Sequence, residues 1–288
     1  MEIPRSLERH TLAEKIIRIV SVPILNNIPG SVIQGAMKST SRDAEEVVSK
    51  GGSTHAMDVM YDRPGRKLFS RGVFEGIADS FWHHCISQPK AIRNRLKIVE
   101  LAVENILREK LAKDGGNVVI LNLGGGTSRS IIDVLKKLRN SYSIDGVKVI
   151  NIDRDPAAIE TCRLNVAGEG LMENFTWIND DVFNMGKSVK EGTVDIVEMI
   201  GILDYLTDEK VQEILRLIHA VLKPGGTLIT ANVHPNREMK MLRRMGWPKM
   251  YFRTARDFEK VLRSVWPEPK PDVVVEPLRV HNIAILRK

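Results

Sequence analysis

Apolar residues along this chain follow several rhythms, and each predicts a different kind of element. Over residues 5–20, Leu7, Leu12, Ile16, Ile17 and Val20 recur at helical spacing and predict an amphipathic helix. Pro23 and Pro29-Gly30 then break the chain. Residues 39–54 are largely polar, with Gly51-Gly52 near the end, and read as a loop or hinge. A stronger helix is predicted over Ala91–Leu107, where Ile92, Leu96, Val99, Val103 and Ile106 share one face. Beyond residue 117, short apolar runs alternate with helical stretches, the pattern of a parallel sheet covered by helices on both faces.

The first of these runs is Val118-Val119-Ile120-Leu121-Asn122-Leu123. It ends in Gly124-Gly125-Gly126, and a helical pattern (Ile131, Ile132, Val134, Leu135, Leu138) follows. Glycines between a strand and a helix let a ligand approach the backbone, and the helix start offers free N–H groups. A second run, Val147 to Ile152, ends at Asp153, 27 positions after Gly126. An acid there is placed to accept both hydroxyls of a ribose. Asp155-Pro156 opens the next helix as cap and first-turn proline. A third run, Phe175 to Ile178, leads into Asn179-Asp180-Asp181-Val182-Phe183, where a polar residue can read an adenine edge; Asp180 competes with Asp181 for that role. A fourth, Val194 to Ile200, reaches Gly201-Ile202-Leu203-Asp204-Tyr205-Leu206. A helix, the turn Lys223-Pro224-Gly225-Gly226 and a fifth run, Thr227 to Val233, complete the series.

In that order these motifs resemble the class I S-adenosylmethionine-dependent methyltransferases, over roughly residues 117–288. The resemblance implies an α/β Rossmann-like, doubly wound seven-stranded sheet with an antiparallel last strand. Residues 254–288 supply the expected finish, a helix capped by Thr254 and two strands at 272–277 and 281–286. It also implies S-adenosylmethionine as cofactor. Gly124, Gly125 and Gly126 would pass under its methionine part, Asp153 would bind the ribose, and Arg154 would flank the adenine. Asp181, Val182 and Phe183 would contact the adenine, with Ile200 and Gly201 near the transferred methyl. The chain departs from the family in two places. Asn122 stands where an acid is usual, and Ser128 where a further glycine is usual. An amide accepts a hydrogen bond but does not attract the cofactor's ammonium as a carboxylate does.

Residues 1–112 read as a helical N-terminal cap or substrate region, and 113–288 as the cofactor-binding domain. In the family such helices fold over the cofactor and wall off the substrate. Tyr61 or Trp82 is a candidate cover for the sulfonium, because cations sit well on aromatic faces. His83 or His84 is a candidate base near neutral pH. Arg93, Asn94 and Arg95 lie at the start of their helix, where cations do not help the dipole. Arg93 is thus a candidate partner for an anionic substrate, with a salt bridge to a neighbouring carboxylate as the alternative. At the carboxyl ends of strands four and five, His234 or Asp204 is a candidate base or substrate anchor, and Tyr205 a positioning group. Met239, Met241, Met245, Trp247, Met250 and Tyr251 offer a pliable apolar wall or ordinary helix packing.

Composition narrows the choices. The net charge of +7 divides into +5 over residues 1–113, −5 over 114–235 and +7 over 236–288. Basic flanks around an acidic core suit an anionic substrate, a membrane surface or nucleic acid, or are a solvated surface. The chain lacks the Asn/Asp-Pro-Pro-aromatic motif of adenine methylation, a cysteine after strand four and a recognisable RNA-binding appendage, so nucleic acid is disfavoured. Cys85 and Cys162 show no ligand spacing, so no metal is expected, and reduced thiols suit a cytoplasmic protein. No secretory signal or transmembrane run is apparent. The first helix, if not packed on the core, suits a membrane surface or a homodimer. Asp204-Tyr205-Leu206 with Asn232 to Asn236 and Tyr251-Phe252-Arg253 is similar to a bacterial group linked to methyl esters of hydroxy fatty acids. The expected reaction is therefore methyl transfer to oxygen, nitrogen or carboxylate of a small-molecule or lipid-like acceptor. Aminopropyl transfer from the decarboxylated cofactor, and a non-catalytic binding protein, are the alternatives.

Overall fold

The computed structural model describes residues 4, 6–40, 42–49, 54–61, 72–113 and 116–288. Its described strands form one seven-stranded sheet in the order β3-β2-β1-β4-β5-β7-β6. In chain order these are β1 (Val118–Leu123), β2 (Val147–Asp153), β3 (Phe175–Asn179), β4 (Val194–Met199), β5 (Leu222–Val233), β6 (Asp272–Val275) and β7 (His281–Arg287). β7 runs antiparallel to both β5 and β6, as the sequence predicts. The order of strand addition reverses between the parallel β1 and β4, which opens a crevice at the carboxyl ends of these strands.

Alternation along the strands separates the two faces. Ile120 and Ile196 join Ile229 and Ile283 under α6 (Ser87–Lys113), α7 (Arg129–Leu138) and α8 (Pro156–Gly168). Leu121, Leu123, Val197 and Leu228 pack on the opposite face, against α9 (Asp208–Val221) and α11 (Ala255–Arg263). The Lys223-Pro224-Gly225-Gly226 turn lies within the start of β5, with Gly225 at φ +76°.

The N-terminal region is mainly helical in its described part: α1 (Leu12–Asn27), α2 (Gly30–Thr40), α3 (Arg42–Ser49), α4 (Thr54–Tyr61) and α5 (Val73–Ser80). A π-helical turn, Phe81–Cys85, leads from α5 into α6. Three expectations change here. The first helix begins at Leu12 rather than residue 5, because Thr11 and Glu14 close a capping box there. Pro23 lies inside that helix and does not end it. The polar stretch after Ser39 forms α3, whose Asp43 and Glu45 suit the positive helix start while Ala44 and Val47 are buried. Gly51-Gly52 and Asp62 lie outside the described residues.

A third apolar cluster builds the cap, from Ile33, Val47, Met60, Trp82, Ile86 and Ile92. Met241, in α10 (Met239–Arg244), and Met245 join it, so these methionines serve helix packing. The helix predicted over 91–107 is longer, 27 residues, and its first turns carry the cap while the rest covers the sheet.

Candidate functional site

The glycine turn is shaped by three residues in the left-handed region, Gly124 (φ +59°), Gly126 (φ +51°) and Ser128 (φ +53°). A Cβ on Gly124 would run into Ile202, and one on Gly125 into the Asn122 amide, so this turn is close-fitting as well as strained. Ser128 bears the strain that a glycine usually relieves, about 1–2 kcal/mol. Its Oγ offsets this by accepting from Asn122 Nδ2 (2.9 Å) and Asn151 Nδ2 (3.1 Å). Both departures from the family pattern thus belong to one hydrogen-bonded unit.

Asp153 sits at the tip of β2 as expected. One carboxylate oxygen accepts from the Gly126 N–H (2.9 Å) and the other from the Asp155 N–H (2.9 Å). Each keeps lone-pair capacity for a hydroxyl donor. Asp181 Oδ1 accepts from the Phe183 N–H (2.9 Å), closing the turn after β3. Asp180 is occupied with the Asp181 N–H and the Asn184 amide, and is not part of the cavity wall.

A cavity of about 600 Å³ opens over these groups. Its wall includes Asn122, Gly124, Gly125, Gly126, Asp153, Arg154, Asp181, Val182, Phe183, Ile200 and Gly201, the full set expected to hold the cofactor. Gly201 (φ +80°) turns the chain at the tip of β4.

Asp204 and Tyr205 line the far side of the same cavity. Asp204 is buried, and its Oδ1 accepts from Asn232 Nδ2 (2.9 Å) and the Val233 N–H (2.7 Å). Burial raises its pKa, against the pull of Arg95 and those hydrogen bonds. Burial, with the Asp204 charge beside it, pushes the Tyr205 phenol up to about 12, and its oxygen accepts from Trp247 Nε1 (3.1 Å).

The other candidates are placed differently. His234 does not line the cavity; its Nδ1 lies 2.8 Å from the Pro235 carbonyl oxygen. Trp82 packs in the cap core, and His83 is buried with Nε2 3.1 Å from Asp43 Oδ2. Tyr61 does line the cavity, with the Arg129 guanidinium 5.5 Å from its ring centre. Arg93 is turned away: it grips Glu8 with two hydrogen bonds (2.8 and 2.9 Å) and donates to the carbonyls of Met60 and His83. The salt bridge weighed as its alternative is the arrangement found.

The arginine in the cavity is Arg95. It is buried, its Nε has no hydrogen-bond partner among the described residues, and its Nη2 lies 3.9 Å from Met57 Sδ. A Cβ on Gly201 would lie 4.0 Å from its guanidinium. Glu198 is a residue that sequence reasoning passed over, whereas Arg95 is noted there beside Arg93 at the helix start. It lies within an apolar strand, is buried, and lines the cavity. Burial raises it to about 7, against the opposing effects of Ser130 and Arg95. The cap closes over the glycine turn through Thr127 Oγ1 donating to Asp58 Oδ1 (3.1 Å).

Comparison with known proteins agrees with this geometry. Residues 120–226 match a family model described as a methyltransferase domain. A protein named as a probable cobalt-precorrin-6B C(15)-methyltransferase (decarboxylating), from Methanothermobacter thermautotrophicus, is 31% identical over 123 residues, 43% of this chain and 56% of its own. The matches span 39–56% of the length of the curated relatives. Among solved structures, one described as a possible exported protein from Bordetella parapertussis aligns over 100% of this chain and 99% of its own, with TM-score 0.71 and 18% identity. A magnesium protoporphyrin IX methyltransferase from Synechocystis, with S-adenosylmethionine bound, aligns over 69% of this chain and 83% of its own, with TM-score 0.50 and 14% identity. Residues 120–226 are thus similar to a methyltransferase domain, and the seven-stranded sheet has the fold of the solved methyltransferase.

Proposed function

We propose that this protein transfers a methyl group from S-adenosylmethionine to a small, anionic acceptor that enters between the cap and the tip of β4. The observation that supports this is a shared wall. One cavity runs from Asp153 and Asp181, past the glycine turn, to Arg95, Asp204 and Tyr205. Its volume of about 600 Å³ lies within the usual range for small-molecule sites.

The cradle fits the cofactor. Asp153 takes the ribose hydroxyls, Asp181 the adenine amino group, and Val182 and Phe183 its apolar faces. S-adenosylmethionine, when bound, supplies an electrophilic methyl and its own leaving group. The protein aligns the acceptor for in-line attack and excludes water. Arg95 holds the acceptor's carboxylate in two-pronged fashion, for which a guanidinium is suited. Tyr205, protonated at neutral pH, donates a hydrogen bond and does not act as base. Asp204 takes the acceptor's proton where it carries one; a carboxylate acceptor needs no base.

Asp208, the next acid after Asp204, is committed to Arg253 (2.8 Å) and lies outside the cavity. That weakens the case for aminopropyl transfer, which needs an acidic pair there. No described helix is long and apolar enough to cross a membrane. The two cysteines are free and buried, which supports a cytoplasmic setting.

Calorimetric titration with S-adenosylmethionine, S-adenosylhomocysteine and the decarboxylated cofactor tests the reading, repeated on Asp153→Ala. Binding of the first two, lost in the variant, is expected, followed by label transfer to a carboxylate-bearing acceptor. Preference for the decarboxylated form would move the protein to aminopropyl transfer. Binding of none of them would refute the assignment.

A further inference from the structure

We propose that Glu198 does the work of the acid missing from position 122 and receives the ammonium of the cofactor's methionine moiety. The proposal rests on the reading that this cavity holds an adenosyl cofactor.

Asn122 and Glu198 are paired positions on adjacent parallel strands, β1 and β4. Paired residues in a parallel ladder project from the same face, at the same height along the strands. Asn151 of β2 is the partner of Asn122 on its other side. A row of three buried polar side chains therefore crosses the sheet beneath the glycine turn, and two of the three are amides. Both amides turn their N–H groups to Ser128 Oγ. Neither carries the charge that would hold an ammonium ion. The row's one carboxylate is a strand away from its usual place.

Glu198 is also half-used. Oε1 accepts from Ser130 Oγ (2.7 Å), in the first turn of α7. Oε2 is buried without a hydrogen-bond partner among the described residues. A carboxylate oxygen left so in a cavity wall is costly unless a donor arrives with the ligand. The nearby cation, Arg95, makes no hydrogen bond to it. A protonated amine placed over the glycine turn meets both needs: it donates to Oε2 and supplies the counter-charge. Burial has lifted Glu198 to about 7. It is thus poised to ionise when such a cation binds.

The discriminating ligand pair is S-adenosylhomocysteine and its deaminated analogue, in which hydrogen replaces the amino group. Both are titrated calorimetrically into the wild type, Glu198→Gln and the double variant Asn122→Asp/Glu198→Gln. The wild type is expected to prefer the amino compound by about 10- to 100-fold, the range for a charge-assisted hydrogen bond. Glu198→Gln is expected to bind both alike, with the affinity for the deaminated compound unchanged, which also reports an intact fold. The double variant, with its acid back on β1, is expected to regain the preference. Retention of the wild-type preference by Glu198→Gln overturns the proposal, as does loss of turnover with that preference intact, which would make Glu198 a base. Failure of the wild type to bind either compound refutes the cofactor reading itself.

Discussion

Arg93 and Arg95 lie two positions apart on α6, and replacing each by methionine separates scaffold from site. Arg93 is 5% exposed and makes four hydrogen bonds, two to Glu8 and two to the carbonyls of Met60 and His83. Removing one side of a buried ion pair costs about 3–5 kcal/mol. Glu8 keeps some solvent access, with its side chain 14% exposed, which favours the lower half of that range. The stranded carbonyls act in the other direction, so a loss of about 4 kcal/mol is expected for Arg93→Met. Arg95→Met removes a guanidinium whose Nε has no hydrogen-bond partner among the described residues and whose Nη2 meets a sulfur atom. Its stability is expected to change by no more than about 1 kcal/mol. Urea titration gives both values, provided the slopes stay equal. Steady-state kinetics with a carboxylate acceptor are expected to show the opposite ranking. KM rises about tenfold or more for Arg95→Met, as for a lost charged hydrogen bond. It stays within about threefold for Arg93→Met measured well below its unfolding midpoint. A stable Arg93→Met protein that no longer binds acceptor would refute the placement of these two arginines.

Glu198→Gln should also alter stability. The folded protein holds Glu198 at about 7 against an ordinary 4.5, so between those values it binds a proton that the unfolded chain has released. Wild-type stability should fall across that window by roughly 3 kcal/mol from this group, with Arg95 beside it limiting the loss, and the variant should lack that component in urea titrations at pH 4.5 and 8. Asp195 has the opposite sign: burial raises it, but Lys223, the Val119 N–H and Lys110 outweigh burial and lower it. Its contribution is present above an ordinary carboxylate value and lost as pH falls through the depressed one, so Asp195→Asn should cost about 2–4 kcal/mol at pH 7 and soften the acid unfolding limb. Tyr205→Phe should leave S-adenosylhomocysteine affinity unchanged in calorimetry while lowering kcat by about tenfold; unchanged kcat would remove Tyr205 from the acceptor site.

The cavity wall around the glycine turn could be read from the sequence because each part is local: a strand, a turn and an acid at the strand's tip. The far wall of the cavity could not, because it depends on which face of α6 meets which neighbour. Residues two apart on a helix project about 200° apart, so Arg93 and Arg95 have opposite fates, and nothing in the pattern shows where Glu8 will dock. His234 illustrates a different limit. The strand ends one residue earlier, so its ring follows the loop, while Asn232 stays inside and serves Asp204 and Arg253. Glu198 did leave a signal. It shares strand parity with Ile196, so an acid there had to be buried on the face that Asn122 also occupies.

The unbroken course of α6 limits how this protein can vary. Inserting or deleting one residue in a helix turns everything beyond it by about 100°. Just after Ala91 such a change would swing Arg95 out of the cavity and Val99, Val103 and Leu107 out of the sheet's core in one step. Cavity wall and scaffold are therefore carried on one rod. Descendants of this sequence can reshape the cavity by exchanging the α6 side chains at Arg95 or Leu96, but not by changing the length of α6 between them and the sheet-covering residues.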